Sequence, residues 1–375
     1  MRILYQTDGF LPSANGGVEV LSWHLLKALV GHGHEVSVVS TRMEGDTPGP
    51  MSIGGLDVLK LDFNRALHGR DLAAIAAAKK AIGDLVSSFR PDVLHLNDAM
   101  PSSFFFGRSG ALAALPRLLT LHSPPRQPGT DDLQNRMIAD ADRVVTVSQA
   151  QRDAFGSIAS TGKFSVIYNS LRFPDVEPAP LPFDPPHLLC LGRLVPEKGI
   201  DVAIRAVGRL GEKGIAVDLT IAGGGSQKPE LESLARECTP GRVRFLDWLE
   251  PAEVPSLVGT ATLVLMPSRW QEPFGLVALQ AAQMGRPVIA SAVGGLNEIV
   301  AGGQTGLLVP PGDDGALADA VAQLLAQPDR AARLGTSARL RAQKSFAFAD
   351  FIAAYETVYK ELMGMRAIHR LGAQG

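Results

Sequence analysis

"TLVLMPSRWQEPFGLVALQAAQMGRPVIAS" occupies residues 262–291. An apolar run leads into a charged and aromatic loop. A stretch apolar on nearly every side follows, and "PVIAS" closes the segment with a second apolar run. Strands apolar on both faces and joined by a buried helix belong to a parallel sheet covered on both sides. The loop carries Glu272, with Pro273 expected to start the helix and Gly275 leaving the backbone N–H groups of Phe274 to Leu276 approachable. A carboxylate at this point has two readings: it caps the helix, or it accepts hydrogen bonds from a ligand's hydroxyls.

The same alternation extends in both directions. Strands are expected at 2–8, 35–41, 92–98, 117–123, 143–148 and 164–169, and again at 188–194, 217–225, 243–248, 262–268, 287–291 and 306–310. Helical patterns such as 17–33 and 71–89 separate them. Between the two series lies "SLRFPDVEPAPLPFDPPH", residues 170–187, in which six of eighteen residues are proline. Proline at that density holds neither a ladder nor a helix and reads as a linker. The expected organisation is α/β: two Rossmann-like doubly wound parallel-sheet domains facing across a cleft. Their limits are 1–170 and 188–347, with a proline-rich linker at 171–187. Residues 348–375 form a last helix and tail, which either returns to the first domain or packs on the second.

Composition narrows the function. Of 375 residues, 46% are hydrophobic and 20% charged, a globular balance. Lys and Arg total 36 against 38 Asp and Glu, so nothing points to nucleic acid or an acidic membrane surface as the main partner. Two cysteines, Cys190 and Cys238, fit a reduced, cytoplasmic chain. The sequence carries no apolar run of membrane-spanning length and no signal segment before the first strand, although a peripheral membrane contact stays open.

Three further features suggest chemistry. Gly16 and Gly17 stand where a helix follows the first strand, as a phosphate-approaching turn or as a plain turn. No G-x-G-x-x-G follows that strand, which disfavours a nicotinamide dehydrogenase. In "LLCLGRLVPEKGID", Arg193 and Lys198 share a loop at a strand end, where two fixed cations suit a diphosphate. The pairs Asp131–Asp132 and Asp313–Asp314 lie in helix-start contexts and read as caps, not metal ligands. No bound metal is expected.

Taken together, "GRLVPEKGID", "EPFGLVALQAAQMGRPVIAS", "VGGLNEIV" and "GQTGLLVPPGD" resemble the second domain of the retaining glycosyltransferases of family 4, which have the GT-B fold. "NGGVEVLSWHLLKALVGHGHEVSVVS", "PDVLHLND", "TLHS" and "ADRVVTVSQAQRDAF" extend the resemblance over about 1–345. It implies transfer of a sugar from a nucleotide diphosphate sugar, the donor, to a hydroxyl acceptor. Gly16, Gly17, Arg193 and Lys198 would then meet the diphosphate. Glu272 matches the first acid of the family's E-x7-E motif, which contacts hydroxyls of the transferred sugar. Phe274, Gly275 and Leu276 would supply backbone N–H groups to the donor, and His122 would stand beside the sugar ring. Glu298 matches a later acidic position.

Two departures stand out. The second acid of E-x7-E is Gln280, whose carbonyl still offers one ribose contact without the charge. "HLND" has Asn97 where a histidine is frequent in the family, leaving Asp98, with Asn97, as acceptor contacts. The competing readings keep the fold and change the chemistry, to an epimerase or a phosphorylase, or remove it, leaving a non-catalytic nucleotide-sugar binder. The base and sugar of the donor, the acceptor and the oligomeric state are not legible.

Overall fold

In the computed structural model, every residue is described except Asn15, Glu44, 127–131 and 373–375; the side chains of Asn64, Asp132 and 366–372 are likewise left aside. Asp131 and the side chain of Asp132, expected as caps, therefore lie outside the described residues. The chain divides into two compact units, Met1–Asn169 with Ala349–Gly375, and Ser170–Phe348.

Among its described residues the first unit holds eight strands: β1 (Arg2–Thr7), β2 (Glu35–Thr41), β3 (Gly49–Ile53), β4 (Leu56–Leu61), β5 (Val93–Asn97), β6 (Arg117–Leu121), β7 (Arg143–Thr146) and β8 (Phe164–Val166). Their order is β3-β4-β2-β1-β5-β6-β7-β8, parallel except for the antiparallel pair of β3 with β4. The strands β3 and β4, the outer pair on one side of the sheet, are additional to those expected from sequence. Their signal is present, a Gly54–Gly55 turn between short alternating runs, which is a hairpin pattern. The interior strands β1, β2 and β5 are buried almost throughout, which is why they read as continuous apolar runs.

The second unit has a six-stranded, all-parallel sheet: β9 (His187–Leu191), β10 (Asp218–Ala222), β11 (Val243–Leu246), β12 (Leu263–Met266), β13 (Val288–Ser291) and β14 (Gly306–Val309). The order β11-β10-β9-β12-β13-β14 is doubly wound, reversing direction between β9 and β12. The amphipathic helix Ile200–Glu212 buries Ile200, Ala203, Ile204, Val207 and Leu210 against Leu188, Cys190, Leu219 and Ile221 of the sheet.

Residues 171–187 run along the second unit and are tied to it. Leu181 and Phe183 pack on its core, Gln283 donates to the Leu171 carbonyl at 2.8 Å, and Arg286 donates to the Ala179 carbonyl at 2.7 Å. The prolines keep the strap extended, while its backbone carbonyls find side-chain donors.

The helix Phe348–Gly372 packs on the first unit through a polar core. Tyr359 O–H lies 2.8 Å from Nδ1 of His95, and Thr120 Oγ1 lies 2.8 Å from Nε2 of the same ring and 3.2 Å from the Tyr355 hydroxyl. Glu356 reaches His32 and His34 at 2.9 and 3.1 Å. No described helix is long and apolar enough to cross a membrane.

Candidate active site

The reversal of strand order in the second unit leaves a crevice beyond the carboxyl ends of β9 and β12, where doubly wound sheets take their ligands. Two loops meet there. The loop after β9 carries Arg193 and the single turn Pro196–Lys198; the loop after β12 carries Ser268 to Gly275. They are clamped together: the Arg269 amide donates to the Glu197 carbonyl at 2.8 Å, and its guanidinium grips both oxygens of Asp201 at 2.7 Å each. A planar, bidentate pair of this kind fixes orientation as well as distance.

The clamp brings Lys198 and Glu272 into contact, although 74 positions separate them. Lys198 Nζ lies 2.8 Å from both Glu272 oxygens. Oε2 also accepts from Trp270 Nε1 at 2.9 Å and from Ser268 Oγ at 3.2 Å. The ammonium stands 5.4 Å from the Trp270 ring centre, a cation–π geometry. Glu272 is 8% exposed, and four hydrogen bonds meet its carboxyl group.

Glu272 does not cap the helix, and Pro273 does not start it. The helix is Leu276–Gln283 and its N-cap is Gly275, with φ +107° and no side-chain cap. A β-carbon at Gly275 would stand 2.6 Å from Leu296 Cδ2, and that φ is closed to most side chains, so only glycine serves. The amides of Gly275 and Leu276 have no acceptor among the described residues, and they carry the positive end of the helix. Phe274 is buried edge-on to Phe346, with ring centres 5.8 Å apart, so that residue can offer only backbone. Arg193 is exposed and its guanidinium is unpaired among the described residues. Gln280 is half-buried, and its side-chain amide likewise makes no hydrogen bond to them. Glu298 is half-buried in the short helix Leu296–Ile299 that follows β13.

The first unit has its own reversal, between β1 and β5. Gly16 caps the helix Gly17–Gly31 after β1, and the Glu19 carboxylate is folded against it so closely that a β-carbon at Gly16 would collide with Oε2. After β5, Asp98 takes a left-handed backbone, φ +83°, unusual for a residue with a β-carbon and a local strain. Its carboxylate accepts from the Ala99 amide at 2.9 Å and from Ser123 Oγ at 2.7 Å. Asp8, at the end of β1, accepts from Ser102 Oγ at 2.6 Å and Thr41 Oγ1 at 3.1 Å.

His122 follows β6, with Nε2 2.8 Å from Asn97 Oδ1. Burial holds its pKa below the ordinary 6.5, and the Asp98 carboxylate pulls the other way. Asn97, read from sequence as an acceptor contact, is buried. Its Nδ2 donates to Ser22 Oγ at 3.2 Å and Thr7 Oγ1 at 3.4 Å, while Oδ1 takes His122. It is therefore a residue that orients the histidine. Ser22, whose hydroxyl donates to the Val18 carbonyl, can only accept from Asn97; this fixes the amide orientation.

Sequence reading missed Trp270, Ser268, Arg269, Asp201, Glu19 and Asp8 as parts of these clusters. Trp270 and Ser268 had a signal, standing two and four places before Glu272 in a loop where an indole needs a partner for its N–H. The Arg269–Asp201 clamp had none, since it closes over 68 positions. Asp313 caps the helix Asp314–Leu325 through the Ala316 amide. Among the described residues no group of three His, Cys, Asp or Glu is placed to hold a metal ion.

Comparison with known proteins gives the family and the fold. A family described as "Glycosyl transferases group 1" matches residues 175–341, and a "Glycosyl transferase 4-like domain" matches 16–169. The glycogen synthase of Mycobacterium tuberculosis H37Rv is 32% identical over 96% of this chain and 94% of its own. A D-inositol 3-phosphate glycosyltransferase of Xylanimonas cellulosilytica is 38% identical over 48% of this chain and 43% of its own. In fold, the chain is similar to a sucrose-phosphate synthase from Thermosynechococcus elongatus, with TM-score 0.83 at 24% identity over 97% of this chain and 99% of that one. It is also similar to Anabaena HepE in complex with UDP and glucose, with TM-score 0.77 at 20% identity over 96% of this chain and 100% of that one.

Proposed function

The chain belongs to the glycosyltransferase group 1 family and has the GT-B fold, and from that premise we propose that it transfers a sugar from a nucleoside diphosphate sugar to a hydroxyl acceptor with retention at the anomeric carbon. The observation that carries the reading is the meeting of Lys198 and Glu272 at the strand-order reversal, with Arg193, unpaired among the described residues, on the same loop as Lys198.

The hard step is departure of the diphosphate. Its growing charge is met by Arg193, by Lys198 once it turns from Glu272, and by the amides of Gly275 and Leu276 at the helix start. Two cations and a helix start are the basis for expecting transfer without a divalent metal. Glu272, held by Lys198, Trp270 and Ser268, serves as acceptor for hydroxyls of the transferred sugar. The bond from the anomeric carbon to the phosphate oxygen breaks, the acceptor oxygen bonds on the same face, and the acceptor's proton passes to the departing phosphate. In the first unit, Asp98 is the proposed acceptor contact. The full-length similarity to a glycogen synthase supports a carbohydrate hydroxyl as acceptor.

The test is a thermal-shift panel of nucleotides and nucleotide sugars, followed by transfer with the best donor and NMR of the product's anomeric centre. A shift with a nucleotide sugar and an axial-to-axial outcome are expected. No shift across the panel rejects the donor site, and an inverted product rejects retention.

A further inference from the structure

The Glu272 carboxylate is loaded unevenly. Oε2 takes three donors: Lys198 Nζ, Trp270 Nε1 and Ser268 Oγ. Oε1 takes Lys198 alone. A carboxylate oxygen has about two lone-pair positions, so Oε2 is full and Oε1 has room for another donor. The main chain of Glu272 is also fixed, its carbonyl accepting from the Gly295 amide at 2.7 Å, while Gln271 Oε1 accepts from the Gly294 amide at 3.0 Å.

Lys198 is the one partner with a competing duty. Under the proposed function it serves the diphosphate, yet without donor it lies on Glu272 and over the Trp270 ring. When it moves to phosphate, Trp270 and Ser268 alone hold the carboxylate. We propose that Trp270 is a positioning residue for sugar recognition: its indole N–H, aided by Ser268, pins Oε2 so that Oε1 is presented to a hydroxyl of the transferred sugar while Lys198 moves to the diphosphate. The inference rests on the donor-site reading above. The indole is half-buried and directs its N–H to a buried carboxylate, which a side chain retained for packing alone has no need to do.

Trp270→Phe tests it, because phenylalanine keeps the ring face and removes only the N–H. Calorimetry compares UDP, ADP and GDP with UDP-glucose, ADP-glucose and GDP-mannose. For the pair that binds the wild type, the expected result is a loss of about tenfold in nucleotide-sugar affinity, as for a hydrogen bond to a charged group, with nucleoside diphosphate affinity within about twofold. In a Glu272→Ala background the same substitution has nothing to hold and changes affinity by less than about twofold. Equal losses for diphosphate and sugar nucleotide, or a tenfold loss that persists beside Glu272→Ala, overturn the proposal. If Trp270→Phe does not fold, Ser268→Ala carries the same comparison, with a smaller loss confined to the sugar nucleotide. A wild-type chain that binds none of the six compounds overturns the donor-site reading itself, and the positioning role with it; a chain that binds them without the sugar-selective loss overturns the positioning role alone.

Discussion

His122 Nε2 and Asn97 Oδ1 are 2.8 Å apart, and the asparagine's other amide atom is held by Ser22 and Thr7. With the carbonyl oxygen facing the ring, Nε2 carries the proton and Nδ1 is left as an acceptor. Asn97→Asp replaces that oxygen by a charged one and favours the imidazolium. The His122 pKa, held down by burial in the native chain, is expected to rise, as read from the pH dependence of its ring resonances. An unchanged titration would mean that Asn97 does not set the protonation of His122.

His95 gives a stability prediction. Burial pushes its pKa from 6.5 down to about 3, with the nearby His122 adding to the effect. Its folded value is depressed, so the unfolded chain takes the proton first. The stability this neutral histidine supports is whole above pH 6.5 and is lost as pH falls from 6.5 toward about 3. The slope is about 1.4 kcal/mol per pH unit for one such group. Urea midpoints should therefore fall more between pH 6.5 and 5 for the native chain than for His95→Asn; equal slopes would remove His95 as the source.

Lys198→Ala leaves the Glu272 carboxyl group short of its main partner inside the protein. Lys198 keeps 20% side-chain exposure and Glu272 10%, so the cost is set below that of a fully buried pair, at about 2 kcal/mol. Thermal unfolding should register that loss, and transfer should fall by more than tenfold. Glu272→Gln should keep most of the stability and nucleoside diphosphate binding while losing transfer. Full transfer in either variant would reject the site.

Gly275→Ala places a β-carbon at φ +107° and 2.6 Å from Leu296. Strain and overlap together should cost about 2–3 kcal/mol. The start of the helix should shift, weakening diphosphate binding. A Tm within experimental error of the native value would contradict the backbone argument.

Gln280→Glu restores an acid at the second position of the E-x7-E spacing. The native amide has no hydrogen bond to described residues and is half-buried, so a carboxylate there is free to accept from a ribose hydroxyl. Exchanging a neutral for a charge-assisted bond should tighten nucleotide binding about fivefold. Weaker binding in the variant would show that the amide donates rather than accepts.

How far the site was legible follows from sequence distance. Glu272, Gly275, Leu276 and Gln280 lie in one stretch of nine residues, so local spacing alone relates them. Trp270 and Ser268 lie in the adjoining loop, yet whether an indole N–H meets a particular carboxylate depends on the turn of that loop, which periodicity does not encode. Asn97 was misread because a polar residue at a strand end looks available, whereas three partners from β1, the Gly17–Gly31 helix and the loop after β6 enclose it.

By itself the sequence determined the parallel α/β architecture, because interior strands covered on both faces must be apolar throughout and the helices between them must follow a 3.6-residue period. The glycine before the helix was visible in the sequence, but its place as the N-cap, with the helix starting at Leu276 and not at Pro273, was set by the fold. Only the tertiary structure decided which charges meet. The Lys198–Glu272 and Arg269–Asp201 pairs close over long stretches of chain because a doubly wound sheet brings β9 and β12 side by side, and that adjacency belongs to strand order, not to any neighbouring residues in the sequence.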